Sequence, residues 1–259
     1  MSDSKTNRIE RYLIDRISRD GSIHLTLLDP ENFTPQVASK KAKEAEAAGT
    51  TAIMIGGSTA ISSFELANVV KEVSENIDIP VILFPGNVSG ICPHADAVWF
   101  MSLLNSRDPY FIIGAQVSGA PLVKRYGLEP IPMGYIIVNG GGTAGLIGQA
   151  NPIPYDKPGV AAIYALAAQY LGMRFVYLEA GSGAEKPAPS EMVSKVRSFI
   201  DIPLIVGGGI RTGNDASRIV QAGADAIVTG TVVEEAGSKA GERIKELVQS
   251  IKRASKRRA

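Results

Sequence analysis

Four groups of residues in this 259-residue chain have types and spacing suited to chemistry. Glu179 follows the apolar run Phe175-Val176-Tyr177-Leu178 and precedes small residues, so its carboxylate is expected in a desolvated place that raises its proton affinity towards that of a general base. A structural ion pair is the alternative. Tyr177, two residues earlier, faces the same side of a strand and could orient a hydroxyl or fill a core layer. Gly207-Gly208-Gly209 and Gly230-Thr231 form the second group, glycine loops whose backbone N–H groups can approach a phosphate closely; the plainer reading is a tight turn. Asp29-Pro30 and Ser58-Thr59 form the third. Read alone, they fit a turn and a helix cap as well as a partial Mg²⁺ shell of one carboxylate and one hydroxyl. The last is the pair of histidines: His24 reads as packing, and His94 takes no role from the sequence.

The elements that must position these residues repeat along the chain. Short β-branched runs at 24–28, 52–55, 81–84, 97–101, 135–138, 175–178, 204–206 and 226–229 alternate with helical patterns at 34–48, 63–76, 109–126, 158–171, 189–199 and 214–222. Further helices are expected near 7–19 and 240–254. The connection from the third run to the fourth is too short for a crossover helix. Eight βα units predict a (β/α)8 TIM barrel over residues 1–259 as one domain, with the helix after strand 3 replaced by a loop. In that architecture the residues just after each strand gather at one face, and the loops after strands 7 and 8 frequently hold phosphate. All the candidate groups except His24 follow strand ends.

Composition narrows the function. Lys and Arg number 27 against 26 Asp and Glu, and five of the bases (Lys252, Arg253, Lys256, Arg257, Arg258) fall in the last eight positions. Residues 1–251 thus hold 22 bases against 26 acids, a net charge of −4, which argues against a nucleic-acid partner. The basic tail allows at most peripheral membrane contact. One cysteine and two histidines do not make a zinc site or an internal disulfide. The start is polar and no run of ~18 apolar residues occurs, so a cytoplasmic protein is expected. Between Glu129 and Asp156 there is no charge at all, and six glycines and several prolines predict an irregular, uncharged surface there.

The strings LLDP (from Leu27), MIGGST (from Met54), YLEAGSG (from Tyr177), VGGGIR (from Val206) and TGT (from Thr229), in this order, resemble the geranylgeranylglyceryl phosphate synthases. These are archaeal prenyltransferases that make the first ether bond of membrane lipids, with bacterial relatives that make heptaprenylglyceryl phosphate. The resemblance implies that Tyr177, Leu178, Glu179, Ala180, Gly181, Ser182 and Gly183, with Gly208, Gly209, Gly230 and Thr231, hold sn-glycerol 1-phosphate. It implies that Asp29 and Ser58 hold Mg²⁺, that geranylgeranyl diphosphate is the second substrate, and that the protein is a homo-oligomer, a dimer or hexamer. The uncharged segments 109–123 and 130–155 then suit a prenyl chain. Phe111, with Tyr110 beside it, is the expected stop for that chain, and Trp99 is the alternative. A phosphosugar isomerase or lyase using Asp29 and Glu179 as an acid and base pair, or a non-catalytic binder of a phosphate ligand, are the competing readings.

Overall fold

A computed structural model describes residues 7–57 and 62–258. Eight parallel strands, β1 (Ile23–Leu28), β2 (Ala52–Ile55), β3 (Val81–Leu83), β4 (Ala97–Leu103), β5 (Glu129–Ile137), β6 (Phe175–Glu179), β7 (Leu204–Gly207) and β8 (Ala226–Thr229), close in sequence order into a barrel. Strand alternation sorts their side chains. Ile23, Leu25, Met54, Trp99, Met133 and Tyr177 fill the interior, while Leu28, Ile53, Ile55 and Leu178 face the surrounding helices.

Those helices are α2 (Pro35–Ala48), α3 (Ser63–Ser74), α4 (Ala115–Tyr126), α6 (Pro158–Tyr170), α7 (Ser190–Arg197), α8 (Gly213–Gln221) and α10 (Ala240–Arg258), after an initial α1 (Arg8–Asp20). Two short ones, α5 (Gly142–Ile147) and α9 (Thr231–Glu235), sit in the loops after β5 and β8. Their starts are written locally: Ser62 with Glu65 and Thr212 with Asp215 form capping boxes for α3 and α8. Only a 3₁₀ turn (Val88–Gly90) joins β3 to β4, so the missing third helix is borne out. α1 closes the N-terminal mouth. Its Ile9 and Leu13 enter the interior cluster, and the Glu129 carboxylate at the start of β5 accepts the Ile9 and Glu10 N–H groups at 2.8 Å each.

The uncharged stretch after Glu129 departs from the sequence reading. Residues 129–137 are a buried barrel strand, not an irregular surface, although Pro130 and Pro132 lie in it. Odd residues of β5 direct their N–H groups to β4, as Glu129 does to the Asp96 carbonyl. The prolines' missing donors therefore face β6, which begins opposite Met133, beyond both of them. Nothing is lost there.

Candidate active site

At the C-terminal face, the loops after β6, β7 and β8 form a pocket of about 440 Å³, including its open mouth, lined by Tyr177, Glu179, Ser182, Gly183, Gly208, Gly209, Arg211, Thr229, Gly230 and Thr231. Thr231 Oγ1 accepts the Gly183 N–H at 3.2 Å and lies 3.3 Å from Ser182 Oγ, tying the first loop to the third. Arg211 spans the same gap, with its guanidinium 3.2 Å from the Glu235 carboxylate and 3.5 Å from the Gly183 carbonyl. Gly208 has φ +81°, and a Cβ there would lie 2.6 Å from Glu179 Oε1 and from Gly181 N. Only glycine lets this loop close over the carboxylate.

Glu179 is buried at the end of β6. Burial pushes its proton affinity above the ordinary glutamate range, against three hydrogen bonds that favour the charged form: the Gly181 N–H at 2.6 Å, the Tyr135 hydroxyl at 3.1 Å and the Tyr177 hydroxyl. Both tyrosines are in turn held well above their ordinary values, by burial first and by the carboxylate second. The Phe84 ring stacks on Tyr177 at 5.6 Å and meets Tyr135 edge-on at 5.6 Å, which fixes the two hydroxyls. Tyr177 thus faces the same side as Glu179.

A second, larger cavity of about 1180 Å³, including its open mouth, extends from the same carboxylate across the ends of β2 to β5. Its walls are mostly apolar: Phe84, Trp99, Phe100, Met101, Leu103, Phe111, Ala144 and Ile147. Glu179, Ser182, Leu27 and Gly230 line both cavities. Asp29, Gly57 and Glu234 line the larger one near that junction. Burial raises the proton affinity of Asp29, against a 3.1 Å hydrogen bond from the Glu31 N–H, and burial likewise raises Glu234. Two carboxylates on one wall suit a divalent cation that keeps waters and takes phosphate oxygens for its other ligands. Among the described residues no cluster of three or more His, Cys, Asp or Glu forms a closed cage. Asp29, where the sequence reading expects Mg²⁺, lines the cavity; Ser58 lies outside the described residues.

The segment before α4 is a π-helix, Tyr110–Gly114. It turns Phe111 into the cavity, and the Ser102 hydroxyl donates to the Ile112 carbonyl at 2.7 Å while Gln116 donates to the Met101 carbonyl. Tyr110 does not share Phe111's place: it is exposed and meets the Phe111 ring edge-on at 5.1 Å from outside. Trp99 also lines the cavity, edge-on to Phe175 at 5.2 Å. Leu178 and Ala180 pack their side chains into the outer core and line neither cavity. His24 is buried on the outside of the barrel, as packing predicts.

Sequence reasoning missed Tyr135, Phe84 and Glu234. Tyr135 was hidden by the strand boundary: a strand beginning at 135 puts it at the wrong end of the barrel, whereas one beginning at 129 puts it beside Glu179. Phe84 had a signal, as the first residue past β3, but an aromatic there reads as core.

The PcrB family model matches residues 15–251. Geranylgeranylglyceryl phosphate synthase of Thermococcus gammatolerans is 55% identical over 247 residues, covering 95% of this chain and 98% of the relative. That of Pyrococcus furiosus is 53% identical over 249 residues, covering 95% and 99%. Among solved structures, (S)-3-O-geranylgeranylglyceryl phosphate synthase of Thermoplasma acidophilum, in complex with its substrate sn-glycerol-1-phosphate, superposes with a TM-score of 0.90 at 44% identity, covering 95% of this chain and 98% of that one. A thiamine phosphate pyrophosphorylase of Pyrococcus furiosus, at 16% identity and a TM-score of 0.60, shares the fold alone. The barrel, the paired cavities and these likenesses place the chain in one family: it belongs to the PcrB family, with the geranylgeranylglyceryl phosphate synthases.

Proposed function

We propose that the protein is a prenyltransferase that joins the C3 hydroxyl of sn-glycerol 1-phosphate to geranylgeranyl diphosphate through an ether bond and releases diphosphate. The observation that carries this reading is the position of Glu179, which faces a small glycine-lined pocket on one side and a long apolar cavity on the other. The phosphate of the acceptor occupies the loops at Gly183, Gly208-Gly209 and Gly230-Thr231, where backbone donors replace its lost waters. Its C3 hydroxyl then reaches the junction. As the bond from the prenyl C1 to diphosphate breaks, the hydroxyl oxygen bonds to C1 and its proton passes to Glu179, held ready by Tyr135, Tyr177 and the Gly181 N–H. Mg²⁺ bound at Asp29 would neutralise the leaving diphosphate.

The apolar cavity takes the prenyl chain. Twenty carbons at ~0.8 kcal/mol each offer up to ~16 kcal/mol of burial, most of it offset by ordering and association. Phe111 closes that path. Incubation with labelled sn-glycerol 1-phosphate, geranylgeranyl diphosphate and Mg²⁺ tests the reading: an organic-extractable phosphate is expected. A converted phosphosugar without metal would replace this function with an isomerase or lyase, and retained ligand without turnover would leave a binder.

We further propose that the chain self-associates through the outer faces of α4 and α6. Val117 is 65% exposed, Ile163 63% and Tyr170 77%, and α6 carries no charged residue along its length.

A further inference from the structure

Behind the glycine-lined pocket, four buried polar side chains form a hydrogen-bonded set: His24 and Thr26 on β1, Thr50 before β2, and Thr229 at the end of β8, which also lines the pocket. His24 Nδ1 lies 2.9 Å from Thr50 Oγ1, and Nε2 lies 3.0 Å from Thr229 Oγ1. Thr26 Oγ1 donates to Thr50 Oγ1 at 3.1 Å, and Thr50 Oγ1 donates to the His24 carbonyl at 3.1 Å.

With the single proton of Thr50 on the His24 carbonyl, Thr50 meets the imidazole as an acceptor, Nδ1 carries the ring proton, and the Thr229 hydroxyl donates to Nε2. Burial holds the His24 proton affinity down at about 3, so the ring stays neutral through the neutral range.

The set lies at a seam that matters. Thr26 opposite Thr229 is the last register pair between β1 and β8, after which the chain leaves the sheet as Gly230 and Thr231, both lining the pocket. The His24 bond to Thr229 is thus a side-chain tie at the point of departure. A buried polar set of this kind gains little net stability over apolar residues of the same shape, since its desolvation offsets its bonds. Its use is direction.

We propose that His24 is a positioning residue for the pocket: from outside the barrel it holds Thr229, and through it fixes the backbone of Gly230 and Thr231 against the loops after β6 and β7. The inference rests on the reading of this pocket as the glycerol phosphate site, so the test includes inorganic phosphate, which needs only the pocket. Calorimetric binding of sn-glycerol 1-phosphate and of inorganic phosphate to the full chain is compared for the parent, His24→Leu, His24→Gln, Thr229→Val and the double variant His24→Leu with Thr229→Val, with KM for the prenyl diphosphate and melting measured beside it. His24→Leu, which leaves the Thr229 hydroxyl unpaired, is expected to weaken both phosphate ligands about tenfold while the prenyl KM stays within about twofold. His24→Gln, able to donate to Thr50 and accept from Thr229, should recover affinity to within about threefold of the parent. Thr229→Val should lose as much as His24→Leu, and the double variant no more than either, because the two act through one bond. Unchanged phosphate affinity in a folded His24→Leu, equal loss towards both substrates, or additive losses in the double variant would each overturn the proposal. If His24→Leu does not fold, Thr229→Val decides: full phosphate affinity in that variant overturns it too. A parent that binds inorganic phosphate but not glycerol phosphate would remove the substrate assignment, and His24 would then stand or fall on the phosphate measurements.

Discussion

Burial raises the proton affinity of the Glu179 carboxyl, against three hydrogen bonds that favour its charged form. Glu179→Gln keeps the shape and an acceptor for the Gly181 N–H but cannot take a proton. Glycerol phosphate binding should survive while kcat falls by roughly 10²–10⁴, as for loss of a general base; unchanged kcat would remove Glu179 from the reaction. The same variant should melt higher than the parent at pH 8. A carboxyl whose folded proton affinity lies above its unfolded one destabilises the fold when ionised, so the advantage of Gln is present at high pH and shrinks as pH falls through the raised value. Melting at pH 8 and pH 5 reads this directly. Tyr135→Phe works in the other direction. It removes a hydrogen bond that lowers the carboxyl's proton affinity, so Glu179 should protonate at higher pH and the acid limb of the rate profile should move up; a limb that stays in place would show that Tyr135 does not govern the base. Asp29 is expected to act on the other substrate. Asp29→Ala should abolish Mg²⁺ dependence and raise KM for prenyl diphosphate far more than for glycerol phosphate, and equal loss of both would make it structural. Gly57→Ala offers a milder version, because the added Cβ would lie 2.7 Å from both Asp29 carboxylate oxygens and push them from the cavity wall.

Helices and strands decide how much of this could be read from the sequence. Strand ends were legible wherever an apolar run met glycine or a carboxylate, and Glu179, Gly208, Gly230 and Asp29 all follow from that pattern. β5 was not, because the rule against proline in a central strand misled: it holds only where the missing N–H faces a partner, and here β6 has not yet begun. The π-helix at Tyr110–Gly114 was equally hidden, since its sequence, YFIIG, satisfies an ordinary helical pattern. It has a consequence for specificity. A five-carbon isoprene unit adds up to ~4 kcal/mol of burial, so affinity alone would favour ever longer chains and a defined product needs a steric stop. The extra residue in the turn sets Phe111 facing the cavity, with Ser102 and Gln116 holding the carbonyls around it. Phe111→Ala should extend turnover beyond C20 with little change in glycerol phosphate KM, whereas Tyr110→Ala, whose ring lies outside, should leave the cut-off in place. If Phe111→Ala retains the parent's cut-off, the stop is elsewhere and Trp99→Ala is the next measurement.

At the scale of the whole molecule, the two ends of the barrel carry different surfaces. The basic end of α10 is helical to Arg258, and Ala254 and Ser255 are buried, with Ser255 packed beneath Gly21 just before β1. Lys252, Arg253, Lys256 and Arg257 therefore stand at the N-terminal end of the strands, opposite both cavities. An anionic surface bound by that tail would lie against the face of the barrel opposite the two cavities. The flank is different. Ile113 and Val117 on the π-helix and α4, with Val160, Ile163, Tyr170 and Leu171 on and beside α6, are exposed on consecutive βα units, and α6 itself carries no charge. Among the described residues no helix is long and apolar enough to cross a membrane. A second copy of the chain offers the same apolar face, and a two-fold contact lets the patch cover itself. Light scattering of the parent should then give a mass at least twice that of one chain. Ile163→Asp places a charge where α6 would meet its partner and should shift the mass to that of a monomer, with the barrel's circular dichroism unchanged. A parent that is monomeric at tens of micromolar, or an Ile163→Asp variant that keeps the parent's mass, would show that this face is not how the chain associates.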